Sequence, residues 1–191
     1  MQLFQKYQSL HLDAESIGLA RGEITEPYFC YPIGATAIGF EGCILYCFVP
    51  QYGDMVFAAN PESCAESYVY PLARTFEDFL RLVISCGSAN PVEQIVWMSR
   101  EQFEQHRRQV MQEAEATQRA LIETLCREFG LTPMDDPYGY VRTLQQTFDG
   151  SRIQFSDEYY DTLGLECPAG EKETEQTPDV SFETVFIFDK R

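Results

Sequence analysis

Between Tyr28 and Asn60 the apolar positions crowd into short runs cut by glycine: YFCYPIGATAIGF, EGCILYCFVP, QYGD and MVFAAN. Valine, isoleucine and aromatic residues favour extended backbone, and Glu41-Gly42 and Tyr52-Gly53-Asp54 have the composition of tight turns. The segment therefore predicts a meander of about three strands. Cys43 to Val49 is apolar at successive positions, as expected of a strand covered by helix on one side and by further chain on the other. Tyr68-Val69-Tyr70-Pro71 predicts one more short strand.

The period then changes. Phe76, Phe79, Leu80 and Val83 recur at i, i+3, i+4 and i+7, one face of a helix with Thr75 as N-cap, Asp78 near its positive end and a stop near Cys86-Gly87. Such a stripe is a core stripe. Ser99 and Gln102 form a capping-box pattern, and neither Gly nor Pro follows until Gly130. Residues 99–129 predict one long helix with a sparse stripe of Phe103, Val110, Ala114, Thr117, Leu121 and Leu125, polar enough in its first half to project or to pair with another helix.

Pro133 and Pro137 interrupt any continuation, and a short helix is expected over 140–147. Residues 166–179 have the charge and turn formers of a solvated acidic loop, and 180–189 read as a C-terminal strand that must dock on the sheet edge or on a partner's sheet. The expected fold class is α+β: one domain over 1–191, with an antiparallel sheet of about five to six strands packed with helices, plus the long helix within a helical elaboration at 99–148.

Composition adds the charge. The 191 residues carry 30 Asp and Glu against 14 Lys and Arg, a net charge of −16. Residues 1–98 hold 11 acids and 4 bases, 99–148 hold 8 and 6, and 149–191 hold 11 and 4. Both flanks repel nucleic acid and anionic membranes, so a macromolecular partner recognised by charge should be basic. The start MQLFQKYQSLHL lacks the basic stretch and apolar core of a secretory signal, and the longest apolar run is far short of the roughly 20 residues that cross a bilayer. A soluble cytoplasmic protein is expected, with its seven cysteines as reduced, buried thiols.

No phosphate loop, HExxH, GxSxG or dinucleotide fingerprint occurs. Cys43 and Cys47 lie too far apart on a strand, about 13 Å, to share a zinc ion. His106, between Gln105 and Arg107, suits a solvated helix face. No catalytic residue, cofactor or metal site is expected. Two acidic clusters with tyrosines stand out: Asp135, Asp136, Tyr138 and Tyr140, then Asp157, Glu158, Tyr159, Tyr160 and Asp161. Tyrosines within an acidic rim suit a grip on a basic protein surface, and covering the core would suit the same rings. Paired carboxylates could also hold a divalent cation if a cleft supplied further ligands.

Within residues 28–86, the stretch from Ile33 to Cys86 resembles the SMI1/KNR4 (SUKH) superfamily. The resemblance rests on Ala37-Ile38-Gly39-Phe40-Glu41-Gly42, on Gly53-Asp54-Met55-Val56-Phe57, and above all on the strand and helix start Tyr68-Val69-Tyr70-Pro71-Leu72-Ala73-Arg74-Thr75-Phe76-Glu77-Asp78-Phe79-Leu80. Residues 1–27 show no clear version of the family's helical start. The resemblance implies an α+β domain and a non-enzymatic, protein-binding role: an immunity-type inhibitor of a basic, nuclease-type toxin. A structural or regulatory homodimer and, further off, a metal-dependent enzyme using the Asp/Glu clusters are the alternatives.

Overall fold

The computed structural model describes residues 2–167. The expected strand at 180–189 and nearly all of the loop at 166–179 lie outside that range. The sheet has four antiparallel strands in sequential order, β1 (Thr36–Glu41), β2 (Ile44–Phe48), β3 (Val56–Ala59) and β4 (Val69–Ala73). The described sheet is thus smaller than the five to six strands expected. Tyr28 to Ala35, strand-like in composition, forms turns instead.

The remaining elements are helical: α1 (Gln2–Ser9), α2 (Phe76–Cys86), α3 (Asn90–Glu93), α4 (Arg100–Glu113), α5 (Ala116–Phe129), α6 (Pro137–Gln146) and α7 (Asp157–Leu163). The chain starts with a helix that the sequence reading did not include. Phe4 and Tyr7, one turn apart on α1, are buried against Phe48 and Phe76.

The alternation of side chains along β2 sorts the core into two layers. Tyr46 and Phe48 join one apolar cluster with helices α1, α2, α4, α5 and α6, while Leu45, Cys47 and Val49 join another. That second cluster is completed by Cys30, Tyr31, Phe148, Ile153 and Phe155. The continuous apolar run is therefore that of a strand buried on both faces, with helices on one side and returning chain on the other. Burying a large apolar side chain contributes about 1.5–3 kcal/mol.

The Thr75 cap forms as expected, its hydroxyl accepting from the Asp78 N–H at 3.1 Å, and α2 ends where Gly87 takes a φ of 82°. Ser99 and Gln102 close the capping box of α4. The single helix over 99–129 does not form. Ala114 is extended, with ψ 127°, and Glu115 starts α5 without a side-chain cap bond. The reason is packing, since no Gly or Pro stands there. Thirty-one helical residues would run about 45 Å, well past the sheet. Instead both halves turn back onto α2, burying Phe103 from α4 and Leu121 and Leu125 from α5. The Gln118 side chain donates to the Gly87 carbonyl at 2.9 Å, tying the new first turn to the end of α2.

All seven cysteines fall within the described residues and none is bonded to another; Cys30, Cys47 and Cys86 are buried, Cys43 and Cys126 partly buried, Cys64 and Cys167 exposed. Burial of all seven, as the composition suggested, is not what the fold produces. No helix among the described residues is long and apolar enough to cross a membrane.

Candidate functional site

The two acidic clusters do not meet. Tyr138 and Tyr140 belong to the helical face of the sheet and Tyr159 to the opposite one.

The first cluster is largely occupied internally. Asp136 is the N-cap of α6, accepting from the Gly139 N–H at 3.0 Å, and its two oxygens take Arg100 Nη1 and Nη2 at 2.7 and 3.1 Å. These bonds hold its carboxyl below the usual carboxylate range, Arg100 first and the Gly139 amide next. Tyr138 donates to the Met98 carbonyl at 3.0 Å, under the Arg100 guanidinium. The Tyr140 hydroxyl accepts from the Arg74 N–H and donates to Asp78, each at 2.9 Å, and burial pushes it up to about 12. These groups fasten α6 to β4 and α2, and Asp135 alone stays exposed without such a role.

The second cluster is open. Asp157, Glu158 and Asp161 are exposed on α7, and among the described residues no Lys or Arg forms an ion pair with them. Tyr159 stacks on Phe155 with ring centres 3.9 Å apart and Tyr160 meets Tyr159 edge-on at 5.3 Å. Glu158 and Ser156 border a hollow of about 280 Å³ floored by Pro27, Tyr28, Pro32 and Ile33. Tyr28 and Ile33 are the feature that sequence reasoning missed: they are 50% and 51% exposed, large apolar side chains left in water beside an acidic helix. The backbone of Ile33 donates to the Gln154 carbonyl at 2.8 Å, which fixes the hollow against the segment leading into α7. No sequence pattern links residues 24–35 with 154–158; the tertiary return of the chain does.

A third arrangement was also invisible beforehand. Glu93, in α3, is wholly buried; its Oε1 accepts from Asn60 Nδ2 at 2.8 Å and from the Tyr70 hydroxyl, while Oε2 has no partner. Nearby, the Tyr46 hydroxyl donates to Glu41 at 3.2 Å. Burial raises the pKa of both carboxyls, favouring the protonated form, and each shift is partly offset by hydrogen bonds. His106 shares Asn90 with this group at 3.3 Å rather than facing solvent. The cluster joins β1, β2, β4 and α3. A single acid inside the apolar run Pro91-Val92-Glu93-Gln94-Ile95-Val96 was its one trace in the sequence. Among the described residues no three His, Cys, Asp or Glu converge in metal-holding geometry.

Comparison with protein-family models, curated proteins and solved structures found no match to this chain.

Proposed function

We propose that the chain is a non-enzymatic binding protein of SUKH type, an immunity-like inhibitor that holds a basic protein through α7 and the hollow beside it. One observation carries the reading: exposed Tyr28 and Ile33 lie in the same hollow as Glu158, so apolar anchors sit directly inside an acidic rim. Interfaces draw their energy from a few such aromatic and apolar anchors, and charge complementarity speeds encounter. The four-strand meander followed by the Thr75-capped helix, the part of the chain that carries the resemblance, supports the family side of the proposal.

The test is a binding titration against the protein encoded beside this one, chosen if basic, at rising salt. The wild-type chain is expected to bind with an association rate that falls as salt rises. The triple change D157K/E158K/D161K should slow association at least tenfold, and Tyr28→Ala should speed dissociation. Binding indifferent to salt and to both variants would sink the proposal, as would no binding.

A further inference from the structure

A larger cleft is lined by another part of α7. It has a volume of about 760 Å³ and forms where Tyr70 and Pro71 of β4, Arg142 and Gln145 of α6, and the returning segment with Phe148, Phe155 and Tyr159 converge beside Trp97. That volume lies within the range of small-ligand sites, about 300–1,000 Å³.

Its chemistry is uneven. Trp97, Phe148, Phe155 and Tyr159 bring aromatic surface from three places in the chain, and Trp97 is 39% exposed. Two polar side chains are held in place among them. Arg142 donates from Nη1 to the Val96 carbonyl at 2.9 Å, and among the described residues its other guanidinium nitrogens make no hydrogen bond. Gln145 donates to the Pro71 carbonyl at 3.4 Å. Because a carbonyl can only accept, that bond decides which end of the amide is which. It leaves Gln145 Oε1 buried away from the cleft, with no donor. Ser67 on the rim is already engaged with the backbone of Val69.

The outer edge of β4 does not offer itself to an added strand. Ser67 takes the Val69 amide and carbonyl, Gln145 takes the Pro71 carbonyl, and Pro71 has no amide hydrogen. What the cleft offers is aromatic surface and an incompletely paired guanidinium, with Glu66 also in its lining.

We propose that this cleft binds a planar aromatic ring that carries a carboxylate or phosphate group. The ring packs on the aromatic wall and the acid pairs with Arg142, whose planar fork suits both anions. The cleft shares no lining residue with the α7 hollow, although Tyr159 and Glu158 are neighbours on α7, and the partner proposal does not depend on it.

Trp97 is the single tryptophan of the chain, so indole fluorescence reports on this cleft alone. The full-length protein without any partner is titrated with 4-hydroxybenzoate and with adenosine 5′-monophosphate, each beside its uncharged counterpart, phenol or adenosine. The expected result is a saturable change in Trp97 emission with at least one acid, at least tenfold tighter than with its counterpart; which acid responds tells carboxylate from phosphate. Arg142→Met should remove the tenfold preference. If that variant does not fold, the side-chain amide resonances of Gln145 in the unaltered protein serve instead and must shift on titration. No saturable response to either acid at millimolar concentration, equal affinity for the uncharged counterparts, or unmoved Gln145 resonances would overturn the assignment.

Discussion

The side-chain amide of Asn60 donates to Glu93 Oε1 at 2.8 Å at a position where neither residue is more than 5% exposed. The Tyr70 hydroxyl approaches the same oxygen. Burial here favours the protonated form of Glu93, and the two donors to Oε1 partly offset that preference.

That proton sets a pH dependence. The folded pKa of Glu93 is raised, chiefly by burial, so its contribution to stability is fully present below the unfolded value of about 4.3 and is lost as pH rises through the folded one. Glu41, raised for the same reason, acts in the same direction. Glu93→Gln keeps an acceptor for Asn60 and Tyr70 and cannot ionise. Its melting temperature relative to wild type should therefore rise steadily from acid to alkaline pH; a constant difference across that range would show that Glu93 folds ionised. Glu93→Leu strands both donors and should cost about 1–3 kcal/mol for each polar group left unpaired.

Asp136 works in the opposite sense. Its folded value is lowered by Arg100 and the Gly139 amide, so its contribution is present above the unfolded value and disappears as pH falls through the folded one. Asp136→Ala should cost about 1 kcal/mol through the lost cap of α6. Asp136→Asn retains a cap and loses only an ion pair whose side chains are both 54% exposed, worth less than about 1 kcal/mol. Urea unfolding of the two variants near neutral pH separates the cap from the ion pair.

The corner between α4 and α5 can be strengthened. Glu115 occupies the N-cap position of α5 with no side-chain bond to the backbone, so Glu115→Ser should stabilise the protein by about 0.5–1 kcal/mol. Ser99→Ala, which opens the capping box of α4, should cost about 1 kcal/mol. Both are measured by chemical denaturation, and loss of stability in Glu115→Ser would show that the corner is not limited by its cap.

Gly39 has no room for a side chain. A Cβ there would lie 2.8 Å from the Cα of Leu19, where the chain is bonded to β1 through Ala20 and Phe40. Gly39→Ala should cost about 1–3 kcal/mol by overpacking and speed amide exchange at Ala20 and Phe40 before the rest of the sheet.

Thiol labelling tests the sorting of the cysteines. Burial pushes the Cys47 and Cys86 thiols up to about 12, and that of Cys30 likewise. Near pH 8 the exposed Cys64 should react with a thiol reagent within the native state, while Cys30, Cys47 and Cys86 should wait for unfolding. Rapid labelling of Cys47 would show that the β2 layer opens.

Much of this architecture was legible in the sequence because it is local. The glycine-cut apolar runs became β1, β2 and β3, the stripe from Phe76 became α2, and Thr75 and Ser99 became caps because each acts on the backbone within one turn of itself. The residues assigned to recognition were legible only as composition. Tyr138 and Tyr140 turned inward, and Asp136 became a cap and ion-pair partner at the surface, because the Met98 carbonyl, Asp78, the Arg74 amide and Arg100 met them, and no spacing along the chain announces such neighbours.

By itself, then, the sequence determined the four strands of the meander, α2, the start of α4, the caps at Thr75 and Ser99 and an acidic average, all set by short-range sterics, hydrogen bonding and charge count. Tertiary structure decided the rest. It bent 99–129 at Ala114 so that both halves could bury their stripes on α2, and it buried Glu93 beneath Tyr70 and Asn60. It also carried residues 154–158 back to Tyr28 and Ile33. These depend on which surfaces meet when two apolar layers close over the same sheet, a condition fixed by the packing of distant segments.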